Sequence, residues 1–362
     1  MTTIRAAILR EPHKPLVLEE VRLSAPRANE ILVELTATGV CHSDVAVAEQ
    51  ILPLPPPIVL GHEGAGFVRE VGSAVMGYQP GDPVVLTFDS CGQCPSCATG
   101  VPGYCDAFAA LNFAGVRPDG SALVEDRGAQ TVRTFFGQGS FATHAIVHAR
   151  NTIRVRRDAP LKFLGPLGCG MMTGAGTVLN VLKPDRNASL VIAGAGAVGF
   201  AAMFAARIAG CRRILMIDRV KARLDLAREL APIETLDTSG TDLDTALSSF
   251  GAVELTIDTT GVPRVIEALI RNLKVRGQLI LLGASPEKVM TTDILHLISG
   301  RSIRGVVEGD SDPAHFIPYL VDRFLEGQFP LDRISQFYPF GQINTAIGDG
   351  VGGKTIKPVV EF

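Results

Sequence analysis

SLVIAGAGAVGFAAMFAARIAG, residues 189–210, is the stretch whose reading decides the fold. SLVIAG (189–194) is an apolar run of the kind that fills a strand buried on both faces. It passes without a break into GAGAVG (194–199) and then into the helix-like AVGFAAMFAARIAG. A turn of this kind between strand and helix uses each glycine differently. Gly194 makes the tight turn, Gly196 lets a pyrophosphate approach the backbone, and Gly199 lets helix and strand pack closely. The helix N-terminus adds N–H groups and the positive end of a dipole for the phosphates. The following strand candidate, RILMID (213–218), ends on Asp218, placed to accept hydrogen bonds from the adenosine ribose and to repel a 2′-phosphate. NAD is therefore the expected dinucleotide, with neighbouring Arg219 the feature that speaks for NADP. The bland reading of the same residues is a Gly-rich turn on an unrelated α/β sheet, with Asp218 an ordinary helix cap.

Outward from this turn, helix-like VKARLDLARELA (220–231) and PRVIEALIRNL (263–273) alternate with strand-like VELTID (253–258) and QLILLG (278–283). Such alternation predicts a parallel sheet with crossover helices. Upstream of about residue 186 the character differs. Short runs such as ILVEL, PIVLG, PVVLT and FATHAIV are punctuated by Gly and Pro, the pattern of a β-rich domain with many turns. After about residue 308 the chain reads as irregular and Pro-rich, and it closes on the strand-like TIKPVVEF (355–362). The expected architecture is α/β: a doubly wound parallel sheet at 172–307, inserted in a β-rich domain made of 1–171 and 308–362.

The 362 residues suit about two domains, and 46% apolar against 20% charged residues indicates a folded rather than a disordered chain. A formal charge of −3 gives no general attraction for nucleic acid or an anionic membrane. Arg154, Arg156 and Arg157 read as a solvated strand edge. The N-terminal MTTIRAAILR lacks the apolar core of a secretory signal, and no apolar run reaches the roughly 18 residues of a membrane span. The expectation is a soluble cytoplasmic protein with reduced thiols.

Against that background, four of only seven cysteines fall in CGQCPSCATGVPGYC (91–105). An odd total cannot pair completely, and the C-x2-C-x2-C-x7-C spacing of Cys91, Cys94, Cys97 and Cys105 suits a closed tetrahedral thiolate cage for a structural zinc. Its bland alternative is four free loop cysteines. Cys41 in CHSD (41–44), His62 in GHEG (61–64) and Cys169 in GCG (168–170) would form a Cys2His set with an open fourth position. Spacing alone does not establish it. Taken singly, Cys169 reads as a small core residue and His62 as a satisfied turn histidine. Cys211 has no evident partner and reads as packing.

Taken together, GVCHSD (39–44), GHEGAG (61–66), the four-cysteine loop, GCG, GAGAVG with Asp218, and GKTIKPVVEF (353–362) resemble the zinc-dependent medium-chain alcohol dehydrogenases over nearly the whole chain, in family order. FFGQGSFATHA (135–145), PLGCGMMTGAG (166–176) and RGVVEGDSDPAHFIP (304–318) are most similar to the aryl (benzyl) alcohol branch, with geraniol-type terpene alcohol enzymes similar in the same segments. The resemblance implies a GroES-like catalytic domain around a Rossmann domain, two zinc ions, and reversible oxidation of an alcohol to an aldehyde with NAD.

By the same resemblance, Cys41, His62 and Cys169 hold the catalytic zinc, Ser43 takes the alcohol proton, Asp44 orients His62, and Glu63 is a carboxylate beside the metal. Cofactor contacts fall on His42, Gly194, Gly196, Val198, Gly199, Asp218, Arg223 and Lys357, the last reading almost as well as a plain surface lysine. Many family members carry a histidine at the position of Ala46 that ends a proton relay. Here the expected exit runs from Ser43 through ribose hydroxyls and water, with His42 mainly on the pyrophosphate. Ile51, Leu52, Phe88 and Val307 lie at or beside pocket positions and favour an aryl or prenyl alcohol over a polyol. The resemblance further implies a homodimer or homotetramer. The alternatives are a glutathione-dependent formaldehyde dehydrogenase, a polyol dehydrogenase, or a non-catalytic NAD-binding relative.

Overall fold

The computed structural model describes every residue of the chain except 241, 285 and 288. It divides into two compact units, one formed by Met1–Met172 with Ser311–Phe362 and the other by Thr173–Asp310. The second boundary lies three residues beyond the one read from the sequence. The helical turn Glu308–Asp310 is tied to the π-helical turn Thr177–Leu182, through Asn180 Nδ2 donating to Gly309 O at 3.1 Å.

In the second unit, the described residues form a six-stranded parallel sheet. Its order across the sheet is Glu234–Asp237, Arg213–Asp218, Ser189–Ala193, Val253–Asp258, Leu273–Leu281 and Ser302–Gly305. Strand order therefore reverses beside Ser189–Ala193, as in a Rossmann sheet. That strand is buried along its whole length because it is paired on both edges and covered on both faces, which is why its sequence is continuously apolar. Val191, Ala193, Leu215, Ile217 and Leu279 pack with Ile266 and Leu269 of the helix Pro263–Arg271 on one face. The sequence reading did not include the strands Glu234–Asp237 and Ser302–Gly305, which are short and edge-placed.

The first unit combines a closed barrel, Thr2–Leu9, Val17–Leu23, Val124–Glu125, Thr131–Thr134 and Ile58–Val59, with a seven-stranded sheet among the described residues. In that sheet Glu30–Gly39 pairs antiparallel with Gly64–Val71, with His144–His148 and with Lys357–Glu361. Gly39 N donates to Glu63 O at 3.0 Å, and Val40 N to Pro358 O at 3.0 Å. Three chain segments distant in sequence thus end together: the one leading into Cys41, the one following His62, and the one that begins at Lys357.

The region after 308 is more regular than its sequence suggests. Pro313–Leu325 is an α-helix despite Pro318, because Asp312 caps it by accepting from Ala314 N, Pro313 sits in its first turn, and Ile317, Leu320 and Val321 form a buried stripe. Arg154, Arg156 and Arg157 sit on the exposed side of the first unit, paired with Asp82, with Asp158 and Asp322, and with Asp82 respectively. No helix among the described residues is long and apolar enough to cross a membrane.

Candidate active site

The helix His42–Ala48 starts from Cys41 as its N-cap. Asp44 reaches back so that Oδ2 accepts from Cys41 N at 3.1 Å, while Oδ1 accepts from Gly61 N at 2.8 Å and meets His62 Nδ1 at 3.1 Å. One buried carboxylate therefore fixes the residue that carries one sulfur and the ring that carries one nitrogen. The bond at Nδ1 puts the imidazole proton there and leaves the Nε2 lone pair free. His62 Nε2 is fully buried and has no hydrogen-bond partner. A buried acceptor of this kind costs on the order of 1–3 kcal/mol unless something binds it.

Cys169 arrives from the opposite direction. Thr87 Oγ1, just past the strand Pro83–Leu86, donates to Gly168 O at 2.7 Å and anchors the turn that presents Cys169. Gln138 Nε2 donates to His62 O at 2.9 Å and to Thr87 O at 3.0 Å, linking the two arms. Ligand atoms of Cys41, His62, Glu63 and Cys169 consequently lie within 4.8 Å of one another. The Cys169 sulfur, with His62 behind it, holds the Cys41 thiol well below its ordinary value against the pull of burial. Burial opposes charge on His62, yet Asp44 and Cys41 hold it above its ordinary value, so that a cation, whether a proton or a metal ion, is favoured on Nε2. Such a pocket favours positive charge at its centre. Two sulfurs and one imidazole nitrogen with an orphaned lone pair fit a zinc ion with a vacant position.

Glu63 is enclosed, with Oε1 accepting from Gly170 N at 3.4 Å and Oε2 ion-paired to Lys357 Nζ. Lys357 also donates to Val40 O at 3.0 Å. The surface-lysine reading of Lys357 is wrong: the residue is 1% exposed. Burial opposes the charge on its ammonium group, but Glu63 and Cys41 hold it above its ordinary value.

Ser43 is half-buried, with Oγ 3.8 Å from Cys41 Sγ, and His42 is exposed beside it on the same first turn. Around the His62 ring stand Phe135 and Phe136, at centroid distances of 5.2 and 4.9 Å, and Phe108, Phe113 and Phe88 extend the cluster. Phe136 sits at φ 59°, a left-handed conformation that a bulky residue rarely adopts without a constraint. Of the four pocket candidates, Phe88 is buried against Phe108, Ile51 and Leu52 are half-buried, and Val307 belongs to the second unit and is partly exposed. Sequence reading missed Thr87, Gln138, Phe135 and Phe136. The signal available was the FFGQG segment itself, with two aromatics ahead of a Gly-x-Gly turn.

The four-cysteine loop closes on itself through the short helix Pro95–Ala98 and the turn Pro102–Tyr104. Cys91, Cys94, Cys97 and Cys105 lie within 4.8 Å of one another, and none forms a disulfide. Bonds of about 2.3 Å to one zinc place sulfurs about 3.8 Å apart in a tetrahedron. The separations of 4.0 Å for Cys91–Cys97 and 3.5 Å for Cys94–Cys97 bracket that value. Cys91 N and Ala107 N point at Cys105 Sγ, and Cys94 N at Cys91 Sγ, as thiolates require. The N–H groups of Cys97 and Asp106 pull the Cys94 thiol down to about 6. Cys211 is buried, with its thiol 3.4 Å from Ala188 O, and serves packing.

In the second unit, the three glycines of the turn meet three different demands. Gly194 has φ 101°, a Cβ on Gly199 would sit 1.9 Å from Gly194 O, and a Cβ on Gly196 would meet nothing within 4 Å. The open space at Gly196 is what an approaching phosphate needs. The helix Ala197–Ile208 has no side-chain cap at its start, which leaves its first N–H groups for an anion. Asp218 Oδ2 accepts from Ala195 N at 2.6 Å and Oδ1 from Val220 N at 2.8 Å, so the carboxylate is held against the turn. Val198 is half-buried in the helix's first turn. Burial draws the Arg223 guanidinium below its ordinary value, with Asp218 opposing. These features fit a dinucleotide.

The family model described as "Alcohol dehydrogenase GroES-like domain" matches residues 27–157, and "Zinc-binding dehydrogenase" matches 197–325. A geraniol dehydrogenase of Castellaniella defragrans is 41% identical over 99% of this chain and 97% of its own length. The crystal structure of an alcohol dehydrogenase zinc-binding domain protein from Burkholderia ambifaria superposes with a TM-score of 0.96 at 43% identity, covering 100% and 99% of the two chains. That of benzyl alcohol dehydrogenase from Acinetobacter calcoaceticus gives 0.95 at 38% identity and 100% of both.

Proposed function

Because this chain belongs to the zinc-dependent medium-chain alcohol dehydrogenase family, we propose that it oxidises aryl or allylic primary alcohols reversibly to aldehydes, with NAD accepting the hydride. The observation that carries the reading is the buried, partnerless His62 Nε2 converging with the sulfurs of Cys41 and Cys169. In this account those three residues hold the catalytic zinc, and Cys91, Cys94, Cys97 and Cys105 hold a structural one.

Cys41, His62 and Cys169 would hold a zinc ion that, when bound, would supply Lewis acidity toward the alcohol oxygen. Oxidised nicotinamide supplies the hydride acceptor. Everything else falls to the chain. Asp44 keeps the His62 proton on Nδ1, and so keeps Nε2 a ligand. Ser43 Oγ, beside the Cys41 sulfur, would take the alcohol proton, and Ala46 on the same helix offers no further base. His42 contacts the pyrophosphate. Gly194, Gly196 and Gly199 admit that pyrophosphate, Val198 and Arg223 line the adenosine side, and Asp218 selects NAD over NADP. The rings of Phe88, Phe108, Phe113, Phe135 and Phe136 exclude water and offer faces and edges to an aryl or prenyl group, with Ile51 and Leu52 as further apolar lining. A polyol would leave hydroxyls without partners there.

The thiolates of both clusters require a reducing compartment, which supports the cytoplasm. The edge strand Ser302–Gly305 and the exposed Ile294, Leu295 and Ile298 just before it support self-association of the second unit, as a homodimer or homotetramer.

The test is kcat/KM for benzyl alcohol, geraniol, sorbitol and hydroxymethylglutathione, each with NAD and NADP. Preference for the first two with NAD supports the reading. Preference for hydroxymethylglutathione or sorbitol overturns its substrate class, and NADP preference overturns the role of Asp218.

A further inference from the structure

The helix Phe108–Phe113 has one fully buried residue, and it is polar: Asn112 is 0% exposed. A buried amide costs free energy unless its groups are paired, and here both ends are. Asn112 Oδ1 accepts from Asp89 N at 2.9 Å, and Nδ2 donates to Asp89 O and to Phe108 O, each at 2.9 Å. The side chain thus pairs with both backbone groups of residue 89, as a neighbouring strand would.

What this pairing holds is the back of the aromatic cluster. Residue 89 follows Phe88, whose ring lies 5.7 Å from that of Phe108. The helix grows directly out of the four-cysteine loop, with Phe108 N donating to Cys105 O at 2.9 Å. Phe108 and Phe113 each stand 5.8 Å from Phe136, and Phe113 stacks on Phe135 at 6.1 Å, so the helix backs the two rings beside His62. The turn after Phe136 leans on the same place, since a Cβ on Gly137 would lie 3.5 Å from Asp89 Cβ and 3.7 Å from Leu111 O. Aromatic pairs tolerate centroid separations of about 4.5–7 Å, whereas a hydrogen bond holds its heavy atoms to within about half an ångström. The rings make the wall, and the amide fixes where it stands.

We propose that Asn112 is a positioning residue for substrate selection: by pairing with Asp89 it sets Phe88, Phe108 and Phe136 against one another, and with them the grip on an aryl group. The inference rests on the pocket reading above and adds to it a residue that itself touches no substrate.

The test uses the full chain and compares benzyl alcohol with allyl alcohol, which offers the wall no ring. Asn112→Leu keeps the volume of the side chain and removes the pairing. In that variant KM for benzyl alcohol should rise about tenfold, the size of one or two lost aromatic contacts, with kcat little changed. Both constants for allyl alcohol should hold. Amide exchange should speed up at residues 88–90 and 108–113 and stay unchanged in the rest of the first unit. Phe108→Ala should show the same split between the alcohols, and the double variant should be no worse than Phe108→Ala alone, because both changes undo one wall. Asn112→Ser, which cannot overpack the site, repeats the test where the leucine variant does not fold. A folded variant with an unchanged KM for benzyl alcohol would overturn the proposal. So would equal losses for both alcohols, or losses that add in the double variant, because Asn112 would then be merely structural. Failure of the underlying reading looks different: the unmodified protein itself would not prefer benzyl alcohol to allyl alcohol.

Discussion

Asp44→Asn changes one atom of a side chain that touches neither metal nor substrate, and it should cripple the catalytic site. The aspartate accepts three hydrogen bonds, from Cys41 N, Gly61 N and His62 Nδ1. An asparagine oxygen can serve one side of that fork, and its NH2 must then face a donor on the other. If the oxygen stays with Gly61 and His62, the amide opposes Cys41 N–H. If it turns, the amide opposes the His62 proton and pushes it toward Nε2, where it blocks the lone pair. Either way one charge-assisted bond is lost, worth about 1.5–3 kcal/mol. Altered partners behind a metal-bound histidine cost about 10–100-fold in metal affinity, equivalent to about 1.4–2.8 kcal/mol, so the two estimates agree. The assay is competition with a chelator, counting the two metals separately. The more weakly held metal should become weaker still by that factor, activity should fall with it at limiting zinc, and the four-cysteine site should be unchanged. Unchanged affinity for both metals would refute the claim that Asp44 orients His62 for a cation.

Three further expectations follow from particular contacts. Cys97→Ser removes a sulfur with neighbours at 3.5 and 4.0 Å, so zinc content should fall by one ion per chain and protease should cut within residues 91–105; intact zinc content would contradict the cage. His42→Arg, on the exposed first turn, should tighten NADH by about tenfold through charge-assisted bonds to phosphate and slow its release; an unchanged NADH dissociation constant counts against that contact. Burial would raise the Glu254 carboxyl, but Lys274 and Ser189 outweigh it and hold it at about 2, below the ordinary value of about 4.3. Its stabilising contribution is therefore complete above that ordinary value and disappears as pH falls through about 2, so the gap in urea midpoint between the unmodified protein and Glu254→Gln should narrow on acidification.

What could be read from the sequence was whatever the chain keeps local. GAGAVG lies between its strand and its helix within a dozen residues, and each glycine answers to a neighbour in the same motif, as the 1.9 Å approach at Gly199 shows. The four cysteines are equally local, because one loop carries all the ligands. The second cluster is of another kind. Cys41, His62 and Cys169 meet through strand pairing and through Thr87 holding Gly168, contacts between residues far apart in the chain, and only resemblance to a family joined them beforehand. The surface alternative for Lys357 arose because lysine is rarely buried. The clue was its place in TIKPVVEF, at the head of a short apolar strand in which residues 357–360 are buried without interruption. Gln138 and Phe136 show in the sequence only as members of FFGQG, since their importance comes from contacts with His62 made across more than seventy residues.

X-ray absorption at the zinc edge, combined with zinc counting on the purified full-length protein, addresses the central claim most directly. The account predicts two zinc ions per chain, one surrounded by four sulfurs and the other by two sulfurs and lighter nitrogen or oxygen donors. A single zinc in an all-sulfur environment, unchanged after zinc is supplied in excess, would contradict it.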